Sequence, residues 1–207
     1  MSKPKTAATR YYLLTFLPAA VTVTYLPIWL NEQGVTDAQI GLINTLPMAG
    51  ILLFSVFVGR LADRASDWKQ AIMIGTGLAA FCSLLLGFAE GFWMILLLWT
   101  MVTLPAGLVG PVADAATMRL SLRLGFSFGV TRAWGTVGFL SMCFATGYLI
   151  LWFGAASFVW LFAATCLARF MAAVALPRLR EVDQPRSKPE GTFPVSYTHL
   201  TLPTKRI

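Results

Sequence analysis

Long apolar runs alternate with short polar breaks along the chain. Runs of spanning length cover residues 11–30, 40–58, 71–89, 92–113, 126–153 and 155–176. Roughly 20 apolar residues cross a bilayer as a helix, so the pattern predicts six membrane-spanning helices. Thr36 and Gln39 have the spacing of a capping box that starts the second helix, and Pro177 ends the sixth. Pro18, Pro27, Pro47, Pro105 and Pro111 fall within runs, where a bundle tolerates kinked or locally opened helices. The expected fold class is an all-α integral membrane protein.

Charge orients the bundle. Lys3, Lys5, Arg10, Arg60, Arg64, Lys69, Arg119, Arg123, Arg178 and Arg180 lie on one side, while the opposite loops carry Glu32, Asp37 and Glu90 and no Lys or Arg. Basic loops stay in the cytoplasm, so both termini are expected there, in a multi-pass protein of the inner (plasma) membrane. The 207 residues are 57% hydrophobic and 12% charged, against about 25% charged in a soluble domain, which argues against a water-soluble enzyme. The net charge of +7 would suit nucleic acid only as a surface patch. The basic residues instead punctuate apolar runs, so no nucleic-acid partner is expected. Cys82, Cys143 and Cys166 sit inside runs without metal-ligand spacing, and neither a metal nor another cofactor is expected.

The expected organisation is a cytoplasmic N-terminus over residues 1–10, a six-helix bundle over 11–177, a polar cytoplasmic linker over 178–194 and a tail over 195–207. The stretch Val195 to Thr204, VSYTHLTLPT, is similar to the translation of a transposase adapter used in DNA library preparation. The tail is therefore expected to be foreign to the gene, the alternative being an authentic disordered segment. On the first reading His199, the sole histidine, is not native and the coding sequence continues past Pro194.

Asp114, late in the fourth spanning helix, and Arg132, early in the fifth, lie inside or at the border of the membrane, where such a group costs about 2.5–3.5 kcal/mol on insertion scales. At 1.5 Å per residue they sit about 8 Å inward of Arg119 and about 9 Å inward of Phe126, at a shared depth. They are candidates for ligand binding, the plainer reading being an ion pair that only satisfies both groups. Thr136 and Phe139 share the face of Arg132, and Gly110 and Gly107 share that of Asp114. A guanidinium, a carboxylate and a ring beside open space suit a polar or anionic ligand with a flat apolar surface. The glycines fit tight helix packing equally well. Tyr25 and Asn44 are further candidate contacts, while Arg169 is expected to snorkel or to pair with a backbone carbonyl. Gly125-Phe126-Ser127-Phe128-Gly129 fits G-x-S-x-G, but a nucleophile elbow needs a preceding strand and a His partner. No enzyme activity is expected.

Between the second and third runs stands Gly59-Arg60-Leu61-Ala62-Asp63-Arg64. Gly59 permits close approach of another helix, and Asp63 can face the positive end of the third; the plainer reading is a basic loop with one incidental Asp. The hairpin resembles the loop signature of the major facilitator superfamily, with Ser66 where Gly is usual and Asp67 where a basic residue is usual. The stretch from Phe128 through Gly129, Thr131, Arg132 and Gly135 to Gly138, preceded by Asp114, is similar to the branch holding lactose permease, nucleoside-proton symporters and phenylpropionate permeases. So is the stretch Tyr25-Leu26-Pro27-Ile28-Trp29-Leu30 through Asp37 to Gly41.

The resemblance covers about residues 10–180 and implies the N-terminal six-helix half of a twelve-helix transporter. It implies substrate-binding roles for Asp114 and Arg132, a ring-stacking position for Phe139 and a gating role for Gly59, Asp63 and Arg64. The implied function is proton-coupled symport of a small organic solute by alternating access. Its partners are then the solute, protons, the lipid bilayer and the missing C-terminal half. A drug or metabolite exporter of the same superfamily and a non-transporting membrane interaction protein are the alternatives.

Overall fold

A computed structural model describes the backbone of residues 3–64 and 67–179, and the side chains of these except 58–64. Every regular element among the described residues is helical: α1 Lys3–Thr15, α2 Leu17–Glu32, α3 Asp37–Arg64, α4 Trp68–Leu85, α5 Gly91–Leu124, α6 Phe128–Phe153 and α7 Ser157–Val174, with a 3-10 turn at Leu86–Phe88. Because α1 and α2 form one interrupted span, six helices are long and apolar enough to cross a membrane. The linker beyond Leu179 and the tail with His199 lie outside the described residues.

The helices overrun the apolar runs. The first starts at Lys3, not Tyr11, and α5 continues to Leu124, past the end of its run at Ala113. Pro4 stands in the first turn, where its missing N–H costs little, and residues 114–124 contain neither Gly nor Pro, so nothing stops the hydrogen-bond ladder where the apolar run ends. For the same reason α3 reaches Arg64, which places the backbone of Gly59, Asp63 and Arg64 in a helix end and not in a loop. Their side chains lie outside the described residues.

Proline shapes the interior. Pro18 offers no N–H to the carbonyl of Leu14, and the first span breaks at Phe16. Pro27, Pro47, Pro105 and Pro111 lie within continuous helices. Capping accounts for the joints. The Thr36 amide donates to Gln39 Oε1 at 3.0 Å, but the Thr36 hydroxyl donates to the same oxygen at 3.2 Å, so only one half of the expected capping box forms. Ser127, the serine of the G-x-S-x-G stretch, caps α6 by accepting from the Val130 amide at 3.4 Å. Gly125 closes α5 at φ 68°, a left-handed position that Gly fills without strain.

Only 11% and 17% of the spanning windows of α3 and α6 are buried, against 44% for α4 and α7, so α4 and α7 are central and α3 and α6 peripheral. The outward faces of α3 and α6 carry Leu52, Leu53, Phe57, Phe144, Leu151 and Trp152 in the open, an arrangement suited to lipid and not to water. Two buried clusters fill the bundle. One joins α2 to the facing ends of α4, α5 and α7 around Trp29, Trp99 and Phe162; the other joins α1 to their opposite ends around Tyr12, Ile72 and Leu120. In the first, Trp29 stacks on Phe158 at 5.4 Å, Phe158 on Phe162 at 5.9 Å, and Phe162 on Trp99 at 5.3 Å, each pair contributing about 0.5–1.5 kcal/mol beyond burial.

Two glycines set the seat of α6. A Cβ on Gly135 would collide with the Phe16 ring, and one on Gly138 with the Leu13 carbonyl. Without side chains there, α6 lies directly on α1. Gly138→Val should therefore lower stability by about 1–3 kcal/mol in mixed-micelle unfolding. Gly147→Val, on the same helix with nothing within 4 Å of its Cβ position, should change it little; equal effects of the two would contradict this packing.

Candidate functional site

The close seat of α6 on α1 brings three helices together at one carboxylate. Tyr12 of α1 is buried, 1% exposed, with its ring edge-on to Tyr11 at 5.6 Å and to Phe128 at 6.0 Å. Its hydroxyl donates to Asp114 Oδ1 at 2.7 Å. Arg132 Nε donates to Asp114 Oδ2 at 3.2 Å, and the two side chains are 50% and 38% exposed. Both carboxylate oxygens are thus occupied, yet only one nitrogen of the guanidinium is used. The terminal amino groups of Arg132 have no partner among the described residues, and they form the fork that grips a carboxylate or phosphate through two bonds.

Asp114 and Arg132 line a cavity of about 730 Å³, a volume suited to a small organic molecule. It lies between the two buried clusters, with Trp99, Val102 and Phe162 on one side and Tyr11, Tyr12 and Ala113 on the other. The broken segment of the first span opens onto it through Thr15, Phe16 and Pro18, and the proline-containing stretch of α5 does so through Ala106, Gly107, Gly110 and Pro111. The two glycines differ. Gly110 has nothing within 4 Å of a would-be Cβ, whereas Gly107 makes room for Ile51 of α3. The first widens the cavity and the second packs a helix.

Of the other residues singled out by sequence, Thr136 is exposed and Phe139 half-buried, and neither is among the cavity-lining residues. Tyr25 packs against the Trp29 cluster. Asn44 is exposed and donates Nδ2 to the Ile40 carbonyl of its own helix at 3.0 Å. Arg169 lines the cavity and donates Nη2 to the Ala106 carbonyl at 3.1 Å. Sequence reasoning missed Tyr11, Tyr12, Thr15 and Trp99; the signal for the first two was a pair of hydroxyl-bearing rings at the head of an apolar run. At the start of α4 the N-cap is Asp67. Asp67 Oδ1 accepts from the Lys69 amide at 3.0 Å and from the Leu179 amide at 3.2 Å, tying α4 to the chain that leaves α7. Close by, the Arg119 guanidinium lies 4.7 Å from the Trp68 ring centroid.

The sequence profile described as Major Facilitator Superfamily matches residues 11–206. The chain is 24% identical over 175 residues to a maltose permease of Geobacillus stearothermophilus, covering 84% of this chain and 44% of the relative. It is 29% identical over 184 residues to the multidrug resistance protein MdtG of Citrobacter koseri, covering 86% of this chain and 44% of that protein. The solved structure of a mutant of the nucleoside transporter NupG superposes with a TM-score of 0.78 at 15% identity, covering 89% of this chain and 47% of that one. The chain therefore spans less than half the length of the relatives it matches.

The two readings of the Asp114–Arg132 pair differ in what its loss would cost. A pair open to water contributes at most about 1 kcal/mol to stability, whereas breaking a buried clasp costs about 3–5 kcal/mol. Arg132→Gln should accordingly shift unfolding in mixed micelles by less than about 1 kcal/mol; a loss in the upper range would make the pair structural.

Proposed function

The chain belongs to the major facilitator superfamily, a family of multi-pass membrane transport proteins, and from that premise we propose that it is the N-terminal six-helix half of a proton-coupled symporter for a small organic solute. On this reading the protein lies in the inner (plasma) membrane with both termini in the cytoplasm. The second half closes over the cavity, and the two bundles rock about it in alternating access. The observation that carries the reading is the half-exposed Arg132 guanidinium, held by one nitrogen on Asp114 with its fork turned loose in the cavity. Asp114 and Tyr12 aim that fork; Arg132 grips the solute. Gly59, Asp63 and Arg64 are assigned to gating at the helix end.

Export is the second reading, supported by the similarity to a multidrug resistance protein over 86% of this chain. The two differ in sign: a symporter accumulates its solute, an exporter lowers it and confers resistance.

The test is uptake by cells expressing the uninterrupted gene. Asp114→Asn and Arg132→Lys should each reduce initial uptake by about tenfold or more, since each removes charge or bidentate geometry at the site, with membrane expression unchanged. Undiminished uptake by both variants would refute the assigned roles, and substrate-dependent efflux would replace symport with export.

A further inference from the structure

Another cavity, of about 670 Å³, lies between α1 and α7 and shares no lining residue with the one around Asp114. These helices belong to the first and sixth spans, which cross the membrane in opposite directions, so the start of α1 stands beside the end of α7. Lys3, Ala7, Arg10 and Leu14 contribute one face of α1, at the spacing that keeps side chains on the same side of a helix. The wall supplied by α7 is Ala168, Ala172 and Ala175, with the exposed Met171 at the rim. Each alanine contributes only a methyl group, and the groove exists because no longer side chain fills it.

The lining is graded along its length. Lys3 and Arg10 are exposed and lie about 10 Å apart along the helix axis. Leu14 and Ala168 lie deepest, Leu14 about 16 Å beyond Lys3 along α1 and Ala168 about 10 Å before Ala175 along α7. Leu14 is half-buried and packs against the Tyr12 cluster. Neither cation forms an ion pair among the described residues. No Asp or Glu lines the groove, so Lys3 and Arg10 leave its charge at +2. Long basic side chains at the edge of a bilayer lay their stems on apolar surface and hold their charge among the headgroups. A mouth of two cations above a floor of methyl groups selects a molecule with an anionic head and an apolar tail.

We propose that the groove between α1 and α7 binds one anionic phospholipid of the surrounding bilayer. Lys3 and Arg10 hold the headgroup phosphate, and an acyl chain runs past Met171 toward Leu14 and Ala168. Basic pockets between spanning helices are suited to such headgroups, and the apolar floor calls for a tail that a soluble phosphate ester lacks. The bound lipid bridges α7 to α1, the segment that the break at Phe16 separates from α2. The proposal rests on the membrane-spanning fold and not on the direction or substrate of transport.

The probes are phosphatidylglycerol and phosphatidylcholine with identical acyl chains, added in equal amounts to the purified chain in detergent micelles and read as lipid retained in native mass spectrometry. A basic side chain near an anionic headgroup is worth about fivefold in affinity, so two should retain phosphatidylglycerol about 25-fold over phosphatidylcholine. Lys3→Gln and Arg10→Gln should each cut that preference about fivefold, and the double variant should abolish it. Arg10→Lys keeps the charge and should keep the preference. Lys69→Gln removes a basic side chain at the start of α4, outside the groove, and should leave the preference unchanged. Glycerol 3-phosphate in excess should not displace the lipid. Equal retention of the two lipids, a preference indifferent to the Lys3 and Arg10 variants, a loss as large for Lys69→Gln as for Lys3→Gln, or displacement by glycerol 3-phosphate would overturn the proposal.

Discussion

One carboxylate organises the inner part of the bundle. Asp114 accepts a hydrogen bond from Tyr12 on one oxygen and from Arg132 on the other, so a single side chain of α5 fixes α1 and α6 at a common depth. The need for it follows from the surroundings: an ionisable group among apolar helices is costly unless it is paired or hydrated, and here it is paired on both oxygens. Glycine makes the meeting possible, because Gly135 and Gly138 let α6 settle on the backbone of α1. The asymmetry of the arrangement then matters more than its strength. Tyr12 is sealed in the core while Arg132 is half in the open, so the carboxylate is anchored from behind and presents a guanidinium in front.

Open backbone and charge occur in the same place. The break at Phe16 borders the cavity, as does Pro111 of α5, in keeping with the rule that irregular backbone in a membrane protein is tolerated where it is buried or lines a cavity. The aromatic column from Trp29 to Trp99 ends at the same wall. A rigid apolar side thus faces a side rich in donors, which is the combination that lets a small site hold a molecule of mixed character in one orientation.

Much of this was legible in the sequence. The six runs and the exceptional status of Asp114 and Arg132 follow from hydropathy and charge, because a charge inside an apolar run is conspicuous without any knowledge of its neighbours. Tyr12 was not legible, since it meets Asp114 across 102 positions of chain and nothing local marks the pairing. Thr136 and Phe139 show the limit of reasoning from helical faces: sharing a face with Arg132 does not bring a side chain into the cavity, because the long arginine reaches back to Asp114 and the short threonine does not. The Asp67 cap was hidden for another reason. Its second donor, the Leu179 amide, lies 112 positions further along the chain.

The central claim is that Tyr12 holds Asp114 in place through a buried hydrogen bond to a charged group. A double-mutant cycle of Tyr12→Phe and Asp114→Ala, read as unfolding free energy in mixed micelles, measures that bond most directly. A coupling of about 1.5–3 kcal/mol is expected, the range for hydrogen bonds to charged groups. Additive effects, with no coupling between the two positions, would contradict it.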